Sequence, residues 1–351
     1  MPDFSVESLR LAIVGVGWAG SRHAEAIVEL GQRVQKVEIA CFVDTDADHL
    51  NYAADCFGVA ARHATLDDAL ADPTVDAVDI ATPHGLHRPM AIAAAEAGKD
   101  VLVEKPVALT VDDATAMIEA AAANGVRLFV AENEAYEARI EFLSRVVQSR
   151  EPIGPITHAS VAAGFRADGA YGYPGRRAWL AEPEQGGTGT WMLHGIHTLA
   201  GLRRVFGEVR TVYVREHKSE SFQRPELEGT MTGLLTLESG VSVSIAQSAE
   251  TRFHANTGGY LLHGEAGSIR GLADGYELFM EGEDASLRPY PGCGLSSYAR
   301  ELEAFADYVA GDESQPTTGI SERRTLAIVQ AGYESAESGL PVDLRERFGP
   351  I

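Results

Sequence analysis

One junction near the N-terminus limits what this chain can fold into. The apolar run Arg10-Leu-Ala-Ile-Val14 passes directly into Gly15-Val-Gly17-Trp18-Ala19-Gly20 and then into a helical stretch. A glycine triplet at this spacing carries little weight alone. Between a predicted strand and a predicted helix it reads as a dinucleotide-binding turn. Gly15 permits the tight turn, Gly17 lets the backbone approach a pyrophosphate, and Gly20 allows the helix to lie close against the strand. Trp18 and Ala19, at the helix start, are counted with the cofactor contacts, because free amides and the positive dipole end favour phosphate there. The next apolar run, Val37 to Val43, ends at Asp44, 24 residues after Gly20. A carboxylate at that point accepts hydrogen bonds from ribose hydroxyls and repels the extra phosphate of NADP. With Asp46 beside it and no arginine close in sequence, NAD is expected in preference to NADP.

The rest of the first 130 residues keeps the same rhythm. Strands are predicted at 11–14, 37–43, 77–81, 101–103 and 128–130, and helices at 20–30, 46–57, 66–70, 89–97 and 111–123. Alternation at these lengths builds parallel βαβ units, hence an α/β Rossmann domain with a doubly wound parallel sheet over 1–130. Beyond it the style changes. Strands are predicted at 156–163, 210–216, 230–238, 241–247 and 260–263, with a turn at Glu238-Ser239-Gly240 and helices at 190–206, 298–310 and 321–336. That pattern predicts an α+β domain with a mostly antiparallel open sheet over 131–351, whose C-terminal helix is free to pack back on the first domain.

The net charge of −22 argues against nucleic acid and anionic membrane surfaces as partners, since both call for basic patches. No run approaches the roughly 18 apolar residues of a membrane helix, and the N-terminus does not read as a secretory leader. The three cysteines, Cys41, Cys56 and Cys293, form no C-x-x-C pair, so a reducing cytoplasm is expected and a cysteine metal site is not. Lysine is scarce. Lys36, Lys99, Lys105 and Lys218 stand against twenty-five arginines, which makes each lysine's context informative.

Val103-Glu104-Lys105-Pro106, together with Thr82-Pro83 and His87 upstream, resembles the glucose–fructose oxidoreductase / inositol dehydrogenase (Gfo/Idh/MocA) family. The resemblance extends through a glycine-rich segment opening a histidine-bearing helix (186–197) to the ending Gly332-Tyr-Glu-Ser-Ala-Glu-Ser-Gly339. It implies an NAD(P)-dependent oxidoreductase acting on CH–OH groups of sugars, polyols or their derivatives. Thr82, His87, Glu104 and Lys105 would border the cofactor, and Lys105 would reach the substrate hydroxyl. A homo-oligomer, dimer or tetramer, is expected on the same ground.

The resemblance breaks at one place. The family's helix usually reads Asp-x-Gly-x-His-x-x-Asp, whereas this chain has Leu193-His194-Gly195-Ile196-His197-Thr198-Leu199-Ala200. Gly195 and His197 match, but Leu193 and Ala200 stand where the aspartates should be. His197 is the candidate general base, a neutral imidazole being suited to taking a hydroxyl proton. His194, three positions earlier on the same predicted helix, is the candidate to replace part of the lost carboxylate's role. No carboxylate or cysteine accompanies this histidine pair at a metal-binding spacing, so no metal is expected. Tyr136, Arg166 and Trp179 are assigned to the substrate, with Glu132 and the loop Tyr171 to Trp179 as further candidates, because aromatic faces stack on sugar C–H surfaces and arginines bind anions. The leading expectation is hydride transfer between nicotinamide and a secondary hydroxyl. Two others stay open: a redox-neutral elimination or glycoside cleavage through a keto intermediate, and a non-catalytic NAD-binding sensor.

Overall fold

The computed structural model describes residues 8–164, 178–186, 189–222, 227–251, 258–292 and 294–350. These form two compact units. The first comprises residues 1–133 and 294–322, the second 134–293 and 323–351. The sequence reading ends the first domain at 130 and gives 294–322 to the second; in the structure that segment belongs to the first unit.

The first unit holds a six-stranded sheet of order β3-β2-β1-β4-β5-β6, with every pairing parallel. Its strands are β1 (Leu9–Val14), β2 (Val37–Val43), β3 (Arg62–His63), β4 (Ala77–Ile80), β5 (Asp100–Glu104) and β6 (Leu128–Ala131). Strands covered on both faces need apolar side chains throughout, and Leu11, Ala12, Ile13, Val78, Ile80, Val101, Leu102 and Val103 are fully buried. The helices are α1 (Trp18–Gly31), α2 (Ala47–Phe57), α3 (Leu66–Leu70), α4 (His87–Glu96) and α5 (Val111–Asn124). Their starts are fixed by side chains: Asp46 accepts from the amides of Asp48 and His49, Thr65 from Asp68, and Thr110 from Asp113. Strand order reverses between β1 and β4, and ligands of open α/β sheets bind at that switch point, beyond the strand C-termini. The two-residue β3 has no counterpart in the sequence reading; it is too short to show a period.

The second unit opens with α6 (Ala138–Ser149), which the sequence reading leaves out although Ile140, Leu143 and Val146 form a buried stripe. Its sheet has nine strands in the order β14-β13-β12-β11-β7-β10-β9-β8-β15. The central members are β7 (Ile156–Gly164), β8 (Val209–His217), β9 (Thr230–Leu237), β10 (Ser242–Ser248) and β11 (Gly259–Gly264). The outer ones are β12 (Gly267–Gly271), β13 (Tyr276–Met280), β14 (Leu287–Arg288) and β15 (Val342–Asp343). Only β7 and β10 run parallel; the other pairings are antiparallel. Behind the sheet lies α7 (Gly195–Phe206), packed on α6. The predicted helix 190–206 is interrupted: a short turn of helix covers Thr190–Leu193, and His194 ends it and caps α7. Three further helices follow: α8 (Ser297–Val309) in the first unit, α9 (Gly319–Ser338), which runs on into the second, and the short α10 (Leu344–Phe348). Among the described residues no helix is long and apolar enough to cross a membrane.

Candidate active site

The glycine turn is shaped by backbone crowding. Gly15 sits at φ +91°, a conformation that side chains resist, and a Cβ there would lie 2.5 Å from the Ala81 carbonyl oxygen at the end of β4. A Cβ on Gly20 would overlap the carbonyl oxygen of Gly15, so the first turn of α1 can touch the loop only with glycine at 20. Gly17 is different: a Cβ there would meet nothing within 4 Å. Its glycine answers no neighbour in the protein, which is the space a pyrophosphate needs over the start of α1. Trp18 lies 55% exposed beside it, with Tyr298 edge-on at 6.4 Å and the Arg22 guanidinium 5.8 Å from its ring; Ala19 is half-buried.

Asp44 closes the other side of this loop. Its Oδ2 accepts the Val16 amide at 3.0 Å and its Oδ1 accepts the Asp46 amide at 2.9 Å. Asp44 therefore braces the glycine loop while presenting a carboxylate at the end of β2, with Asp46 and Asp48 exposed next to it. These residues fit a dinucleotide: a clear helix N-terminus for phosphates and an acidic strand end for ribose hydroxyls.

His87, expected beside the cofactor, is held by backbone on both ring nitrogens. It is fully buried, with Nδ1 2.9 Å from the Pro106 carbonyl oxygen and Nε2 3.0 Å from that of Thr82. Its ring ties the loop after β4 to the turn after β5. Burial holds its pKa below the ordinary histidine value, against the pull of both carbonyls. Thr82 is half-buried, its hydroxyl 3.6 Å from the Met90 sulfur.

The turn held by His87 carries Glu104, Lys105 and Pro106, with a cis Lys105–Pro106 bond. The Lys105 amide donates to Glu104 Oε2 at 2.9 Å. Burial pushes the Lys105 ammonium below the ordinary lysine pKa, while the carboxylates of Glu104 and Glu132 pull it back up. Behind this turn lies a cluster absent from the sequence reading. His23 of α1 is wholly buried, its Nδ1 2.7 Å from Asp79 Oδ2, its Nε2 3.4 Å from Glu104 Oε1 and 3.6 Å from Glu301 Oε1. Burial disfavours its charge, but Asp79 and Glu104 outweigh burial and hold its pKa well above the ordinary value. Glu301 shifts up as well, mainly through burial. Asp79 offers the one sequence signal, a charged residue inside a strand that is otherwise apolar and buried.

In the second unit, His194 and His197 face each other edge to face with ring centres 6.0 Å apart. Gln247 on β10, a residue the sequence reading does not single out, lies 3.3 Å from His194 Nδ1 through Nε2, and its Oε1 accepts the Thr198 hydroxyl at 3.2 Å. An amide that donates to Nδ1 puts the His194 proton on Nε2. Leu193, in place of the aspartate, packs with Trp179 and Phe222 on a cluster of Leu180, Leu227 and Ala249. An apolar contact thus occupies the position where the family usually has a carboxylate. Trp179 belongs to that cluster, Tyr136 is buried in a turn at 133–136, and Glu132, in the first unit, is fully buried. A buried carboxylate from another element, Glu228, lies against Gly189. Arg166 and most of the Tyr171–Trp179 loop lie outside the described residues, as does Cys293; Cys41 and Cys56 are free thiols. Among the described residues no group of three or more His, Cys, Asp or Glu is arranged to hold a metal ion.

The chain is similar to known proteins along nearly its whole length. D-apiose dehydrogenase of Paraburkholderia graminis is 29% identical over 359 residues, covering 97% of this chain and 91% of that protein. A protein named D-xylose 1-dehydrogenase (NADP(+)) 2, from Haloferax volcanii, is 25% identical over 342 residues, 96% of this chain and all of that one (100%). Among solved structures, an oxidoreductase from Agrobacterium radiobacter in complex with NAD+, L-tartaric acid and magnesium superposes with a TM-score of 0.82 at 26% identity, covering 97% and 100% of the two chains. Residues 9–132 match the oxidoreductase family's NAD-binding Rossmann fold, and residues 150–344 match its C-terminal alpha/beta domain. With both halves matched in order, the chain belongs to the Gfo/Idh/MocA oxidoreductase family.

Proposed function

We propose that this protein is a dehydrogenase that moves hydride between nicotinamide and a secondary hydroxyl of a carbohydrate-like substrate. The observation that carries the reading is Lys105, a lysine held below its ordinary pKa on a turn of the unit that also holds the dinucleotide cradle. The sugar dehydrogenases among its relatives support the substrate class. When bound, the dinucleotide supplies the hydride acceptor or donor. The chain's own residues manage the hydroxyl proton and hold the substrate. An ammonium with depressed proton affinity releases its proton closer to neutral pH, so Lys105 is suited to exchange one with the substrate oxygen. His197 is assigned as general base and His194, kept in one tautomer by Gln247, as its neighbour on the substrate.

NAD is the proposed cofactor in preference to NADP. Asp44, with Asp46 and Asp48 exposed close by in sequence, supports this reading, because carboxylates at the end of β2 would repel the extra phosphate of NADP. The free thiols Cys41 and Cys56 suit a reducing cytoplasm, and the oligomer expected on family grounds is read directly by light scattering.

The test is absorbance at 340 nm with purified protein, NAD and a panel of sugars, sugar acids, inositols and glycosides at mildly alkaline pH. A rise with one group names the substrate class. Lys105→Met is expected to cut turnover by roughly two to four orders of magnitude with NAD affinity unchanged by calorimetry. Unaltered turnover in that variant removes the lysine from the mechanism. Silence across the panel, with NAD binding intact, counts against the dehydrogenase.

A further inference from the structure

The cluster behind the Glu104–Lys105 turn has a part of its own to play. His23 emerges from α1 three residues after the last glycine of the cradle and is 0% exposed. The groups facing it come from three elements of the first unit: Asp79 from β4, Glu104 from β5, and Tyr298 and Glu301 from α8. Lys105, Glu132 and His87 complete the ionisable surroundings of Glu104. An interior cannot hold this many carboxylates as anions with so few cations. Contacts and burial point to which are charged. Asp79 at 2.7 Å takes one imidazole N–H, and the other nitrogen lies between Glu104 and Glu301 at 3.4 and 3.6 Å. Both Glu301 oxygens lack a hydrogen-bond partner, as does His23 Nε2, which meets Glu104 and Glu301 by charge alone. A buried carboxylate with no donor is the form burial penalises most, so Glu301 is the neutral acid of the set. Glu104, bonded to the Lys105 amide, is the anion.

We propose that His23 is a positioning residue for Lys105: as a buried imidazolium clamped by Asp79, it keeps Glu104 ionised, and the Glu104 carboxylate in turn sets how tightly Lys105 holds its proton. The proposal rests on the reading of Lys105 as the proton-handling residue, yet concerns a property present with no substrate bound. The upward shifts of His23 and Glu301 agree with these charge states. Without the imidazolium, the buried Glu104 carboxylate loses the cation that faces it from α1 and takes up a proton. Lys105 then loses the carboxylate that favours its charged form, and its proton affinity falls.

Competitive acetylation by acetic anhydride reads this directly, because only the neutral amine reacts, and the four lysines are resolved by peptide mass spectrometry. The pH of half-maximal Lys105 labelling is expected to fall by about one unit in His23→Gln, a tenfold change in proton affinity. It should stay in place in Glu301→Gln, where a neutral amide replaces a neutral acid. Lys36, ion-paired to Glu303 and Asp307, is the internal reference and should not move. An unchanged or raised Lys105 titration in His23→Gln overturns the proposal, and a lowered one in Glu301→Gln overturns the assignment of Glu301 as neutral. Should His23→Gln fail to fold, the wild-type protein still decides: with histidine labelled by nitrogen-15, one of the eleven imidazoles must remain doubly protonated at a pH where the exposed ones have become neutral. If all are neutral there, His23 does not carry the charge. Neither readout uses turnover, so either can fail while the dehydrogenase reading stands, and the reverse.

Discussion

Restoring the family's aspartate by Leu193→Asp is expected to weaken this protein rather than improve it. Leu193 is half-buried against Leu180, Leu227 and Ala249, with Trp179 and Phe222 beside it. Complete burial of a leucine is worth roughly 1.5–3 kcal/mol, so about half of that is forfeited with the side chain. A carboxyl set among these apolar groups adds about 1–3 kcal/mol of unpaired desolvation. The total, about 2–4 kcal/mol, lowers the unfolding temperature by roughly 5–15 °C for a unit of this size. The pH dependence identifies the cause. Burial raises the folded-state pKa of the introduced carboxyl above its unfolded value near 4. The variant is therefore least penalised below that value, and its deficit grows as pH rises through the folded pKa. Leu193→Asn carries a similar polar cost with no such slope. Calorimetry of the wild type and both variants between pH 4 and 9 measures all of this. A Leu193→Asp protein as stable as the wild type and faster in turnover would show that the apolar packing is no substitute for the carboxylate.

Gly20→Ala is expected to push α1 off the loop, because the new methyl overlaps the Gly15 carbonyl; NAD affinity should fall at least tenfold by calorimetry, with about 1–3 kcal/mol lost in stability. Gln247→Leu frees the His194 tautomer and strands the Thr198 hydroxyl, costing about 1–3 kcal/mol in urea unfolding; its kcat should fall further than its KM changes. The Glu301 pKa is raised in the folded state, so its protonation contributes stability below the unfolded glutamate value that is lost as pH rises through the folded one. Glu301→Gln should therefore match wild type near pH 4 and become the more stable of the two as pH rises, and a flat difference across pH 4–9 refutes the buried neutral acid.

The first unit was readable because its strands are buried on both faces and appear as unbroken apolar runs, bounded by Thr65, Thr110 and the glycines that stop helices. The second unit gave up its long central strands but not β12 to β15, which are short, partly exposed and in places rich in glycine. The break at His194 was hidden because the apolar spacing of Trp191, Ile196 and Leu199 suits a continuous helix, and nothing local marks His194 as the cap between two pieces. Motif residues such as Gly15, Gly20 and Lys105 announce themselves through their neighbours in sequence. His23, Asp79 and Glu301 do not. Asp79 lies 56 residues from His23, and nothing local marks them as partners. His87 shows the opposite hazard: its motif was visible, but the two carbonyls that occupy its ring were not.

The way the backbone threads the two units bears on the order in which a newly made chain can settle. The first unit is not complete until residue 322 has been synthesised, because α8 brings Phe305 and Tyr308 onto Phe129 of β6, with ring centres 5.7 and 5.5 Å apart. A nascent chain that has reached residue 133 has all six strands but not the helix that covers this end of the sheet, nor Glu301. Translation of the intervening segment, residues 134–293, must pass before that cover arrives. Exchange of nucleotide-binding modules between relatives meets the same constraint: the transplanted piece has to be two separate stretches, 1–133 and 294–322, cut and rejoined together.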